Sequence, residues 1–191
     1  MPDAATFELL ANLFRYPDRD YVSDVERCIE ALYSADPQAA GMLRETLGQT
    51  RKISVGDLQA LYTSTFDLDP VCSLEVGWHL FGENYERGEF LVKMRSELRR
   101  LGLPESTELP DHLTHALAAF SRMESDEAEC FAAACLFPAL DKMRTGMESK
   151  PNPFSGVLRA VVHVLERRYA RLEMQPVPTP PIFNILNSGG V

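Results

Sequence analysis

The chain has 191 residues, 45 % apolar and 25 % charged, with a net charge of −9. That length favours a single domain able to bury a core without disulfides. The negative balance argues against a general binder of nucleic acid or of acidic membranes, which needs a basic face to meet phosphate. Cys28, Cys72, Cys130 and Cys135 include no CxxC pair, so they read as reduced, mostly buried thiols and not as a zinc site. Met1 to Leu10 carries Asp3 and Glu8 and no basic cluster, unlike a secretory signal. No apolar run approaches the roughly 18–20 residues that span a bilayer. The expectation is a cytoplasmic protein without nucleic-acid partners or stable membrane insertion.

Helical periodicity runs almost from end to end. Phe7, Leu10, Ala11 and Phe14 stripe a first helix that stops before Pro17, and Val25, Cys28, Ile29 and Leu32 mark a second. Asp36-Pro37 predicts a capped start with proline at the first helical position and a third helix to Gly48. Ser54 with Asp57 predicts a fourth helix, carrying Leu58, Leu61, Tyr62 and Phe66. Asp67 to Pro70 breaks the pattern, because the residue before a proline is pushed out of the helical region. Cys72 to Phe81 predicts a short buried helix. A long one follows over Glu83 to Leu101, with Leu91, Met94 and Leu98 inward and Gly102 beyond its basic last turn.

Leu103 to Leu109 reads as a loop, and Pro110 as the start of a helix striped by Leu113, Ala116, Leu117 and Phe120. Ser125 predicts a cap for the next helix, which Pro138 should bend. A last long helix is predicted over Pro153 to Glu173. No strand alternation or internal repeat is visible. The predicted fold is all-α, a single-domain bundle of about seven to nine helices over 1–174, followed by a tail over 175–191. Four prolines between Pro176 and Pro181 favour extended polyproline geometry, and Ile182 to Leu186 forms an apolar cluster beyond them.

Enzymatic signatures are missing: the chain has no GxSxG elbow and no phosphate-cradling GK[ST] loop. Asp111, His112 and His115 form one possible ligand set, since positions three apart share a helix face. The competing reading gives Asp111 to the positive end of the helix and His112 to local packing and hydrogen bonding. Trp78, His79 and Phe81 form a dense aromatic stretch, in which Phe81 reads as core and Trp78 as core or groove anchor alike. Asp67, Asp69, Glu75, Glu83, Glu86 and Glu89 surround it against Arg87 alone. They make either a solvated face or an acidic rim that steers a basic peptide.

The stretch from Tyr62 to Leu103, with its Phe66-Asp67 pair, its Trp78-His79 run, Gly82 and Arg87, is followed by Glu108-Leu109-Pro110-Asp111-His112-Leu113. In that order and spacing it resembles the NarJ branch of the NarJ/TorD/DmsD family of redox enzyme maturation chaperones. The resemblance covers about fifty residues in the middle of the chain. It implies an all-helical fold without enzymatic activity and without a cofactor of its own. It also implies a partner: the N-terminal leader segment of a molybdopterin-containing catalytic subunit, held for cofactor insertion and assembly. Carried over position by position, the client-peptide site falls on Tyr62, Phe66, Asp67, Trp78, His79, Gly82, Arg87, Pro110, Asp111 and His112. The resemblance admits the molybdenum-cofactor insertion machinery as a further partner, and either a monomer or a domain-swapped dimer. Leu68-Asp69-Pro70 stands where nitrate-reductase chaperones often carry basic residues, so the implied client is a related molybdoenzyme, such as a dehydrogenase or an oxyanion reductase, and not nitrate reductase itself. The alternative remains a cofactor- or nucleotide-handling protein with its site at Asp111, His112 and His115.

Overall fold

The computed structural model describes residues 4–104, 106–147 and 152–169. Among them the helices are α1 (Ala4–Asn12), α2 (Tyr21–Leu32), α3 (Pro37–Thr50), α4 (Val55–Tyr62), α5 (Val76–Phe81), α6 (Tyr85–Arg100), α7 (Leu113–Arg122), α8 (Ser125–Phe131), α9 (Phe137–Met147) and α10 (Pro153–Tyr169). A π-helical turn, Thr63–Asp67, prolongs α4, and another, Ala132–Leu136, joins α8 to α9. The only β pairing among the described residues is one isolated bridge, Glu75 with His112. The fold class is thus all-α, as the periodicity predicts. The predicted tail and its apolar cluster, and the domain limit at 174, lie outside the described residues.

Local signals place the early helices well. Asp36 caps α3 by accepting from Ala39 N–H at 3.1 Å, and Ser54 caps α4 by accepting from Asp57 N–H at 3.1 Å. The stripe of α7 is buried as predicted, whereas in α2 Ile29, and in α10 Val162 and Tyr169, expected inward, are only half-buried. Asp36 is fully buried where α3 meets α10, with His163 at 3.2 Å and Arg167 at 3.1 Å.

An edge-to-face aromatic cluster forms the centre of the bundle. Phe154 lies 5.9 Å from Tyr21, 5.6 Å from Tyr62 and 5.2 Å from Phe66, ring centre to ring centre. The two phenols also close off α1. Tyr62 donates to the carbonyl of Phe14 at 2.9 Å and Tyr21 to that of Leu13 at 3.2 Å, so carbonyls beyond the helix end keep partners inside the core. Asn152 ties the start of α10 to the first π turn, donating to Thr65 Oγ1 at 2.8 Å and accepting from Phe154 N–H at 2.9 Å.

Several expectations need correction. Pro110 does not open a helix: α7 begins at Leu113, with His112 as its N-cap. Of Cys72 to Phe81 only Val76–Phe81 is helical, because Leu74 and Glu75 are drawn out flat to pair with the backbone around His112. Ser125 is the first residue of α8 and not its cap. In α6 the buried stripe is Phe90, Met94 and Leu98, and Leu91 is only half-buried. The strain at Pro138 is taken up by the π turn just before it. A proline leaves the carbonyl four residues back without its donor, and a wider turn at Ala132–Leu136 absorbs that gap.

Candidate functional site

The site is built where the start of α5 meets the start of α7. Short helices have few internal hydrogen bonds, so the first N–H groups of α5 need outside acceptors. Its own N-cap residue, Glu75, gives no side-chain cap. Asp111 does so from 34 residues away: its carbonyl accepts from Val76 N–H at 3.0 Å, and its Oδ2 accepts from Gly77 N–H at 2.9 Å. In return Leu113 N–H donates to the Leu74 carbonyl at 2.7 Å. Asp111 therefore stabilises the positive end of α5, and not of α7 as the sequence suggests.

That approach is possible because residue 77 is glycine. A Cβ there would lie 2.7 Å from Asp111 Oδ2 and 2.8 Å from the Phe90 ring. Asp111 is fully buried and its Oδ1 has no partner. Burial pushes its carboxyl above the usual carboxylate range, while the Gly77 bond and Arg87 pull it back down. Asparagine in its place keeps an acceptor oxygen and removes a buried charge. Asp111→Asn should therefore be at least as stable as wild type in urea denaturation. Asp111→Ala strands the Gly77 N–H and should lose about 1–3 kcal/mol. Equal losses in both variants would contradict the capping role.

His112 and His115 stand on the same helix with their ring centres 6.4 Å apart, yet they carry their protons on different nitrogens. His112 Nδ1 accepts from Thr114 N–H at 3.3 Å and faces Thr114 Oγ1 at 2.8 Å. A backbone N–H can only donate, so Nδ1 is bare and Nε2 bears the proton. His115 Nδ1 donates to the Leu109 carbonyl at 2.8 Å, leaving its Nε2 to accept from Ser106 at 3.0 Å. Burial, with a smaller contribution from His115, pushes the His112 imidazole down to about 4. An unfolded chain then takes up a proton as pH falls below about 6.5 while the folded one does not. His112 stability is fully present above that pH and is lost progressively down to about 4, by an amount on the order of 3 kcal/mol. Urea denaturation of wild type and His112→Asn across this window checks the sign: wild type should lose stability relative to the asparagine variant, and parallel curves would contradict it.

Trp78 is braced by its indole N–H, which donates to the Pro70 carbonyl at 2.8 Å. The Arg87 guanidinium sits 5.5 Å from the centre of its ring and pairs with Glu75 at 2.6 Å. A cavity of about 390 Å³ opens beside it. Phe66, Pro70, Leu74 and Trp78 supply apolar walls, Asp67, Glu75 and Glu108 the carboxylates, and Ser73, Arg87 and His112 complete the lining. A second cavity of about 620 Å³ lies between α1, α7 and the loop before Glu108; Glu108 and His112 line both.

Of the ten residues assigned from the sequence, Phe66, Asp67, Trp78, Arg87 and His112 line the first cavity. Tyr62 lies beneath it, edge-to-face with Phe66 at 5.0 Å between ring centres. Asp111 and Pro110 are buried behind the wall, and Gly82 closes α5 at φ 60°. His79 lines neither cavity; it is buried, its Nε2 donating to the Ser73 carbonyl at 2.6 Å. Asp111, His112 and His115 do not converge on a common point: Asp111 faces α5, and both nitrogens of His115 are engaged. Among the described residues no trio of His, Cys, Asp or Glu is placed to hold a metal ion. Sequence reasoning missed Glu108 as a lining residue and Gly77 as the keystone. The second carried a signal, since glycine inside a helix costs about 1 kcal/mol and needs a reason.

The helical architecture is similar to that of a crystal structure from Archaeoglobus fulgidus, of a protein assigned to the redox enzyme maturation proteins. The TM-score is 0.58 over 85 % of this chain and 93 % of that one, at 20 % identity, a level that speaks to fold alone. A family model for the nitrate reductase delta subunit matches residues 29–160, a span that includes every residue of the first cavity. The chain belongs to that family. It is also similar to the nitrate reductase molybdenum cofactor assembly chaperone NarJ of Escherichia coli K12 and of Escherichia coli O157:H7. Each is 28 % identical over 127 residues, which make up 63 % of this chain. The chain spans about half the length, 52 %, of these curated relatives.

Proposed function

We propose that the protein is an assembly chaperone for a molybdenum-cofactor oxidoreductase. It has no turnover of its own and binds the N-terminal segment of the catalytic subunit. The observation that carries this reading is the cavity beside Trp78, which lies wholly within the family match and is lined by the Phe66-Asp67 pair and by Glu108 and His112. Its mixture of two aromatic faces with carboxylates suits an amphipathic helix laid into a groove, anchored by a few side chains. Tyr62, Asp111 and Gly77 act at one remove, by fixing Phe66 and α5. No helix among the described residues is long and apolar enough to cross a membrane. The N-terminal segment meets the chaperone in the cytoplasm, before cofactor is inserted, and the insertion machinery acts on that complex.

Capture from native cells tests this. The tagged full chain should retain a molybdenum-cofactor catalytic subunit, and deletion of that subunit's N-terminal segment should abolish retention. Retention that survives the deletion would contradict the proposed site of contact on the client.

A further inference from the structure

The two cavities share a wall, and their chemistry differs. Asp67, Glu75 and Glu108 face the smaller one, where Arg87 already neutralises Glu75. Asp67 and Glu108 have no cationic partner among the described residues, and after burial itself their charges oppose ionisation of the buried Tyr62 phenol. Two carboxylates without a cationic partner, lining the same cavity as Phe66 and Trp78, make a receptor for a cation on an apolar stem. The larger cavity is different. Ala11, Leu98, Leu103 and Ala118 contribute apolar surface, and of its two arginines, Arg15 and Arg122, the second is paired with Glu8 at 3.1 Å.

Between the two stands His112. It is 6 % exposed, and its Nδ1 is consumed at the start of α7. Its remaining nitrogen, Nε2–H, has no partner among the described residues, although the ring lines both cavities. A neutral donor in that position is matched by a carbonyl oxygen of a chain passing over the wall.

We propose that the two cavities form one bipartite site for a single client segment. The smaller takes a lysine or arginine side chain between Asp67 and Glu108, and the larger takes an apolar side chain. His112 Nε2–H donates to a backbone carbonyl of the segment between them. The inference rests on the chaperone reading above and specifies the chemistry of its ligand: a basic residue and an apolar residue on one face of the segment. In a helical segment these stand three or four positions apart.

The probe is the synthetic N-terminal 20-residue segment of the catalytic subunit retained by the full chain, with two variants. One has its basic residues replaced by glutamine; the other has its apolar residues replaced one at a time by alanine. Asp67→Asn with Glu108→Gln should weaken the parent peptide by about tenfold or more and leave the glutamine peptide nearly unaffected. Ala118→Phe, or Ala118→Leu should the larger residue impair folding, fills the second cavity. It should weaken the parent peptide but not the alanine peptide that lacks the matching anchor. Binding of every peptide unchanged by a filled second cavity overturns the bipartite site, as does equal weakening of the basic and glutamine peptides by the charge variants. Absence of binding by any peptide to the wild-type chain overturns the underlying reading, and the inference with it.

Discussion

Gly77→Ala should unseat α5 and cost more than any other single methyl group in the site. Alanine gains roughly 0.5–1 kcal/mol over glycine in a helix interior. Against that, its Cβ would meet Asp111 Oδ2 at 2.7 Å and Phe90 at 2.8 Å. Overpacking of this kind costs about 1–3 kcal/mol, and parting the Gly77 N–H from its carboxylate adds about 1–3 more, for a net loss of about 1–5 kcal/mol. Gly88, in α6, is the internal control, because a Cβ there meets nothing within 4 Å. Gly88→Ala should be neutral or stabilising. The check is urea denaturation of the two variants side by side. Were Gly77→Ala as stable as Gly88→Ala, the close packing of α5 on Asp111 would be refuted.

Phe154→Ala is expected to have the larger effect on stability, about 3–5 kcal/mol. Phe154 is fully buried and makes edge-to-face contacts with Tyr21, Tyr62 and Phe66. Its removal leaves a void that three rings anchored by hydrogen bonds and helices are poorly placed to fill. Phe66 also lines the smaller cavity, so the void should loosen that wall. Denaturation monitored by circular dichroism measures the loss. A value below about 2 kcal/mol would mean that the aromatic cluster collapses to fill the space.

The helices were legible because their signals are local. Asp36-Pro37 and Ser54 cap the very helices they precede, through bonds spanning three residues. Asp111 misled because its bond spans 34 residues, and nothing in the neighbouring sequence distinguishes a carboxylate capping its own helix from one capping another. His112 misled in a related way: an imidazole takes the capping place usually held by a small polar residue, so Pro110 seemed the better start. Pro138 announced a disturbance, but its form, a π turn upstream, depends on how α8 and α9 pack. The resemblance brought together five residues that line one cavity. The second cavity was invisible, because α1, α7, Leu103, Pro104 and the residues from Ser106 to Glu108 meet there only after folding.

Trp78 is the only tryptophan in the chain, and its ring lines the smaller cavity. Its fluorescence therefore reports on that site without a label. The direct measurement is a titration of the full chain with the synthetic N-terminal segment of the proposed client, a molybdenum-cofactor catalytic subunit, followed at the tryptophan emission. A client beside Trp78 should give a saturable change in intensity and wavelength. Asp67→Asn with Glu108→Gln should move the midpoint to higher peptide concentration, and added salt should do the same as screening lengths fall from about 10 Å at 0.1 M to about 3 Å at 1 M. A segment that binds, by calorimetry on the same samples, while the Trp78 emission stays unchanged would contradict the central claim that the client sits beside Trp78.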